Sequence, residues 1–240
     1  MLFQNELIVR LVTASVLQIW PIFYLSYFAY KLLKRAKNRS TYTLSSYFIA
    51  TALAYFFATI SIFLVNTPFA YILYVFSIYI FVFSYSFAVN FSWLLTKLDE
   101  KASYTKHYLR IILYAILSLY VLLFAILFNG ITLNASTGWI PTYSLFFLAI
   151  NWTYILIFLI IPQIYFSFKI RKIYEGIVLK RRLNMFLISV LLVLILAVSL
   201  FLYHTIPENI VFRTFHISIG LVFGIFAAYL IYKGFGKELE

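Results

Sequence analysis

The sequence predicts an all-α membrane protein, a bundle of seven transmembrane helices. Two observations lead to this fold class: long apolar segments that carry almost no charge, and basic residues gathered in the short stretches that follow every second segment. Each apolar segment reaches the ~20 residues that a helix needs to cross a bilayer. The seven segments, which form a single domain over residues 1–240, are 7–29, 43–65, 69–95, 108–128, 143–168, 183–203 and 210–232.

The basic residues predict the orientation of the bundle. Of the 19 Lys and Arg residues, all but Arg10 and Arg213 follow segments one, three, five and seven, in the ranges 31–39, 97–110, 169–182 and 233–237. Cytoplasmic loops near the ends of membrane helices collect Lys and Arg. We therefore expect the N-terminus outside and the C-terminus in the cytoplasm, in a multi-pass protein of the cell membrane.

The composition excludes an ordinary soluble domain. Hydrophobic residues make up 65% of the chain, whereas soluble domains contain about half. The net charge of +12 lies in short loops beside the membrane, where it favours contact with anionic lipid headgroups. The bilayer is therefore the expected partner of this surface, and nucleic acid is not.

The connections between segments also follow from the sequence. Segment one is too long for a signal peptide, and its basic residues follow it rather than precede it, so we expect it to be retained as a span. Short turns with proline at 66–68 and 205–209 predict hairpins of segments two with three and six with seven. The segment 128–142 is predicted to be an outer loop.

The titratable residues do not form a catalytic pattern. All seven Asp and Glu residues lie at membrane edges or in loops, and the chain has no cysteine. The histidine and carboxylate residues of the outer side, His204, Glu208 and His216, match no metal-binding spacing. We therefore predict neither an enzyme nor a cofactor or metal site.

Five polar or aromatic residues in the outer half or near the midplane of the spans have two interpretations. Gln18, Trp20, Asn151, Trp152 and His216 either form hydrogen bonds between helices or line a ligand pocket that opens outward. Polar groups in hydrocarbon must find partners, so both interpretations place the amide and imidazole groups inside the bundle.

Two prolines lie well inside spans and predict kinks or hinges at Pro21 and Pro162. The stretch Ile161-Pro162-Gln163-Ile164-Tyr165, followed by the basic run of residues 169–176, resembles the signature of the PQ-loop and SWEET transporters. A shift of 141 residues places segments one to three on segments five to seven, as in the repeats of that family. The resemblance implies a facilitative carrier of a neutral solute, with Pro21, Pro162 and Gln163 on moving helices.

A second resemblance covers nearly the whole chain. Five features are similar to the seven-helix N-terminal sensor module of prokaryotic histidine kinases. They are the basic stretch after segment one, the turn at 66–68, the outer loop ending Gly138-Trp139-Ile140-Pro141, the run Lys180-Arg181-Arg182 and the late Ala227-Ala228-Tyr229. The cytoplasmic kinase domains of that family are not in this sequence. The resemblance implies a stand-alone sensor that passes a signal to a cytoplasmic partner.

The leading hypothesis is a sensory, receptor-like membrane module for a small or lipophilic ligand. The first alternative is the facilitative carrier, and the second is a structural subunit of a membrane complex. A cytoplasmic signalling protein is the partner that the first hypothesis requires, and self-association into a homo-oligomer is left open.

Overall fold

The structure, a computed structural model, describes the backbone of residues 2–35, 37–65, 67–97, 103–174 and 176–236. Side chains are described from residue 19 onward within these ranges, apart from those of residues 179, 210, 221, 235 and 236. The helices are α1 Leu2–Arg35, α2 Arg39–Phe63, α3 Pro68–Leu95, α4 Tyr104–Ser118, α5 Tyr120–Leu127, α6 Leu145–Tyr154, α7 Ile161–Ile173, α8 Ile177–Thr205 and α9 Ile210–Ile231.

The prediction of an all-α membrane protein is confirmed. In the described part of the chain, six helical stretches are long and apolar enough to cross a membrane: 39–63, 68–95, 104–127, 145–173, 180–205 and 211–234. They correspond to the second to seventh predicted segments. The first predicted segment lies within α1, a helix of 34 residues whose side chains before residue 19 are outside the described part of the chain.

The helices pack largely in chain order, and α3 has contacts on several sides. Helix α2 packs against both α1 and α3, and α3 also contacts α4, α5 and α7. Helices α6 and α7 contact α8, α8 contacts α9, and α9 returns to α1. The rings of Phe28 on α1 and Tyr232, just after α9, stack with centroids 4.9 Å apart. The helices therefore form a ring that closes between α1 and α9.

The bundle has two chemically different ends. We call the end that contains Lys31, Arg39, Arg110, Lys180 and Lys233 the basic end. Its helix termini meet through contacts such as the hydrogen bond from the hydroxyl of Tyr174 to the carbonyl of Leu95, at 3.0 Å. At the opposite end, α5 and α6 are joined by a small β-hairpin, so we call this the hairpin end.

The hairpin consists of β1 Ile131–Thr132 and β2 Thr142–Tyr143, which pair in an antiparallel register with Ile131 opposite Tyr143. Both of these residues are buried, with 2% and 5% of their surface exposed. The predicted outer loop is therefore an ordered element that packs into the end of the bundle, and its strands are too short for a hydrophobic repeat to reveal them.

Tyrosine hydroxyls satisfy backbone carbonyls where the spans are irregular. At Leu119 the backbone N–H donates to Ile116, three residues back, and this break separates α4 from α5. The carbonyl of Ala115, freed by the break, accepts hydrogen bonds from Ser118 and from the hydroxyl of Tyr79 on α3. Since hydrocarbon offers no water to such a carbonyl, the neighbouring tyrosine stabilises the break.

The fifth span is irregular at Pro162. Residues Ile155–Ile160 form a π-helical segment before α7, and the N–H of Ile161 donates to the carbonyl of Leu156, five residues back. Pro162 has no N–H to donate to the carbonyl of Phe158, four residues earlier. That carbonyl accepts instead from the hydroxyl of Tyr114 on α4, at 2.9 Å. The irregularity expected from this proline is therefore present and is held by a second helix.

Candidate functional site at the hairpin end

A chain of hydrogen bonds joins the β-hairpin to α3 and α8. His204 Nδ1 lies 3.0 Å from the carbonyl oxygen of Pro141, which can only accept, so Nδ1 carries the proton. In the neutral ring Nε2 then accepts from the hydroxyl of Tyr74, at 3.4 Å. The hydroxyl of Tyr74 in turn accepts a hydrogen bond from that of Tyr143 on β2, at 2.7 Å.

This chain begins and ends on the same strand of the hairpin. Pro141 directly precedes β2 and Tyr143 is its last residue, whereas Tyr74 belongs to the first half of α3 and His204 to the last turn of α8. The ring of Tyr143 also packs against His204, with centroids 4.8 Å apart, and against Phe201. The hairpin is therefore bonded to two spans, α3 and α8, that run to the basic end.

A second set of contacts joins α8 to α9 at the same end. The hydroxyl of Ser199 donates to Leu196, so its oxygen accepts from His216 Nδ1 at 3.0 Å. The ring of Tyr203 packs between the two histidines, with centroids 4.8 Å from His204 and 5.1 Å from His216. Tyr74, Tyr143, Tyr203, His204 and His216 thus form one connected group, which we call the tyrosine–histidine cluster.

Arg213 closes the cluster at the bundle end. Its guanidinium donates to the carbonyl of Pro207 and to the hydroxyl of Tyr203, both at 3.1 Å, and lies over the Tyr203 ring at 5.0 Å. The positive charge is therefore held beside the cluster by the turn between α8 and α9.

The residues predicted to line an outward-opening pocket lie in several places. The side chain of Gln18 is outside the described residues. Trp20 has 59% of its surface exposed on the outside of α1. Asn151 is fully buried, accepts from the hydroxyl of Tyr120 at 2.7 Å and donates to the carbonyl of Phe147. These contacts fit the interpretation that Asn151 forms a hydrogen bond between helices.

The other two predicted pocket residues meet at α8. The indole N–H of Trp152 donates to the carbonyl of Val198 at 3.1 Å, and His216 bonds to the next residue, Ser199. Trp152 comes from α6 and His216 from α9. The last third of α8 is therefore contacted by two residues of the predicted set, and of these His216 belongs to the tyrosine–histidine cluster.

The residues predicted to act as hinges or in transport are near the bundle interior. Pro21 is buried within α1, and Pro162 follows the π-helical segment. Gln163 is fully buried, and its Oε1 accepts from the hydroxyl of Ser92 on α3 at 3.0 Å. Its Nε2 and both amide atoms of Asn90 are buried without a hydrogen-bond partner among the described residues.

Sequence reasoning missed Tyr74 and Tyr143. The chain contains 21 tyrosines, and no spacing distinguishes these two from the rest. They meet because the hairpin folds back over the bundle, which brings together residues 69 positions apart in sequence. His204 was considered only as a metal ligand, and in the part of the chain that the structure describes no three His, Asp or Glu side chains come together.

Comparisons of the chain with protein-family models, with curated proteins and with solved structures find no match.

Proposed function

We propose that this protein is a sensory, receptor-like module of the cell membrane. In this proposal seven helices, including α1, cross the bilayer, with the N-terminus outside and the C-terminus in the cytoplasm. The distribution of basic residues supports this orientation, because cytoplasmic segments collect Lys and Arg. The hairpin end then faces outward, and the basic end meets the cytoplasm.

The hydrogen-bond chain from Tyr143 through Tyr74 to His204 is the observation that carries the proposal. A small or lipophilic ligand that contacts the hairpin or the tyrosine–histidine cluster changes hydrogen bonds on α3 and α8 together. Packed helices respond to such changes by small rigid shifts, often about 1–2 Å. Helix α3 contacts α2, α4, α5 and α7, so a shift of α3 is passed on to most of the bundle.

The irregular spans provide places where such a shift can be absorbed. The π-helical segment at 155–160 and the break at Leu119 both lie near the middle of spans that contact α3. π-Helical turns inside α-helices occur frequently at functional sites. The basic residues within 97–110 and 169–182 favour contact with an acidic cytoplasmic partner.

One mutation tests the coupling between the two ends without a known ligand. Because the chain has no cysteine, Tyr42→Cys on α2 and Lys180→Cys on α8 allow two spin labels at the basic end. Tyr74→Phe removes both hydrogen bonds of the chain that pass through the Tyr74 oxygen. We expect the measured distance between the labels to shift by about 1–2 Å or to become broader.

The matched control is Tyr30→Phe, which removes a hydroxyl from a side chain with 60% of its surface exposed on α1. It should leave the distance distribution unchanged. If Tyr74→Phe also leaves it unchanged in a folded protein, the hairpin end does not communicate with the basic end and the sensory proposal fails.

A facilitative carrier of a neutral solute is the second candidate, and the buried amides favour it. Gln163 Nε2 and the side chain of Asn90 offer hydrogen-bonding groups to an uncharged solute inside the bundle. This candidate requires passive flux of uncharged sugars or similar solutes into liposomes, with loss of flux in Asn90→Leu. Flux in the absence of coupling between the ends would favour the carrier over the sensor.

A further inference from the structure

Arg110 has an unusual setting at the basic end. It lies on α4, and its guanidinium carbon is 4.4 Å from the centroid of the Trp93 ring on α3 and 5.7 Å from that of Phe166 on α7. Three helices thus contribute to its surroundings. Lys31 and Lys233, at the same end, each lie over one tyrosine of their own chain segment, Tyr27 and Tyr229.

The position of Arg110 along the span places its charge below the loop surface. It follows the first residue of α4 by six positions, about 9 Å along the helix axis. Leu109 and Leu113, its neighbours on α4, expose 62% and 51% of their surface on the outside of the bundle. In a membrane this outside is lipid, so the guanidinium lies beside the headgroup region of the bilayer.

The guanidinium lacks an acceptor in the described part of the protein. The two rings cover it, but no carbonyl, hydroxyl or carboxylate oxygen of the described residues accepts its N–H groups. A guanidinium has five N–H donors and is always charged. A cation at this depth is costly unless an anion or other acceptor meets it.

Two lysines lie one turn nearer to the basic end. Lys106 precedes Arg110 by four residues on α4, and Lys169 follows Phe166 by three residues on α7. Residues three or four apart share a helix face. Both lysines are exposed. Lys106 and Lys169 therefore lie on the helix faces that carry Arg110 and Phe166, and we call the place where these two faces approach each other the Arg110 cleft.

We infer that the Arg110 cleft binds the phosphate of an anionic phospholipid from the leaflet at the basic end. The guanidinium donates to the phosphate oxygens in the two-point geometry that suits arginine, and Lys106 and Lys169 hold the remaining negative charge. The exposed Leu109 and Leu113 contact the acyl chains. This membrane-facing position favours a lipid over a soluble phosphate, and the inference does not depend on the proposed sensory function.

Thermal unfolding of the full chain in mild detergent tests the inference. Phosphatidylglycerol, phosphatidylcholine with the same acyl chains, and inorganic phosphate are added separately, at low and at high salt. We expect phosphatidylglycerol to raise the unfolding temperature in a saturable way, with an effect that persists at high salt, and the other two to leave it nearly unchanged. The apparent affinity for phosphatidylglycerol should fall about tenfold in Arg110→Gln, because charge-assisted hydrogen bonds are lost.

Lys31→Gln is the control, since it removes one positive charge from the same end outside the cleft. It should bind phosphatidylglycerol as the unmodified chain does. Equal losses in Lys31→Gln and Arg110→Gln, or an effect abolished by salt, would show diffuse attraction only and overturn the inference. An equal shift with inorganic phosphate would overturn the lipid as ligand. If Arg110→Gln does not fold, the double variant of the exposed lysines, Lys106→Gln with Lys169→Gln, must weaken binding for the inference to stand.

Discussion

Replacing Gly130 by alanine is expected to destabilise the protein by about 1–3 kcal/mol, the usual cost of forcing an extra carbon into a packed interior. A Cβ at residue 130 would lie 2.8 Å from the carbonyl oxygen of Phe124 and 2.8 Å from a ring carbon of Phe147. Phe147 is fully buried, and the Phe124 carbonyl is itself bonded to the N–H of Gly130, so neither group is free to move.

The loss should appear as a lower unfolding temperature in detergent. Gly224→Ala is the matched control, because a Cβ at residue 224 of α9 meets no atom within 4 Å. In a helix interior this change favours folding by up to about 1 kcal/mol. Gly130 carries the chain from α5 into β1, so the same substitution should also disturb the hairpin. An unfolding temperature equal to that of the unmodified chain would contradict the close packing at Gly130.

The second large effect is expected for Tyr114→Phe. This change removes the hydroxyl that donates to the carbonyl of Phe158 beside Pro162. Leaving a polar group without its hydrogen-bond partner away from water destabilises the folded protein by about 1–3 kcal/mol, and hydrocarbon offers no other donor to this carbonyl. We expect a lower unfolding temperature and greater protease sensitivity of the span 145–173.

Tyr165→Phe is the corresponding control, because Tyr165 lies on the same span with 59% of its surface exposed. Loss of the Tyr165 hydroxyl should leave the unfolding temperature almost unchanged. If both variants unfold at the same temperature as the unmodified chain, the tyrosine does not support the irregular span, and the carbonyl of Phe158 is satisfied in another way.

The spans were predictable because hydrophobicity and charge act over many residues. A run of ~20 apolar residues needs no detail of packing to identify it as a span. Pro162 lacks the N–H that a regular helix needs at that position, so an irregular fifth span was expected from the sequence. The break at Leu119 has no such residue, and it is held by the hydroxyls of Ser118 and of Tyr79 on another helix.

The candidate site was only partly predictable, because it depends on contacts between distant segments. His216 was identified as a polar residue within a span, and the structure places it against Ser199. Asn151 was identified by the same argument, yet its partner is Tyr120, away from the cluster. Tyr74 and Tyr143 acquire their role from the position of the hairpin, which no local pattern in residues 128–142 reveals.

The closure of the helix ring between α1 and α9 tests the account most directly, because it fixes the seven-span arrangement on which the sensory proposal depends. Phe28→Cys with Tyr232→Cys places thiols at two rings that stack 4.9 Å apart. Phe28→Cys with Phe87→Cys tests the alternative contact of α1 with α3, which α2 separates in this structure. With a short bifunctional thiol reagent, the account predicts efficient crosslinking of the first pair and little of the second. Crosslinking of the second pair without the first would contradict the ring and favour the carrier.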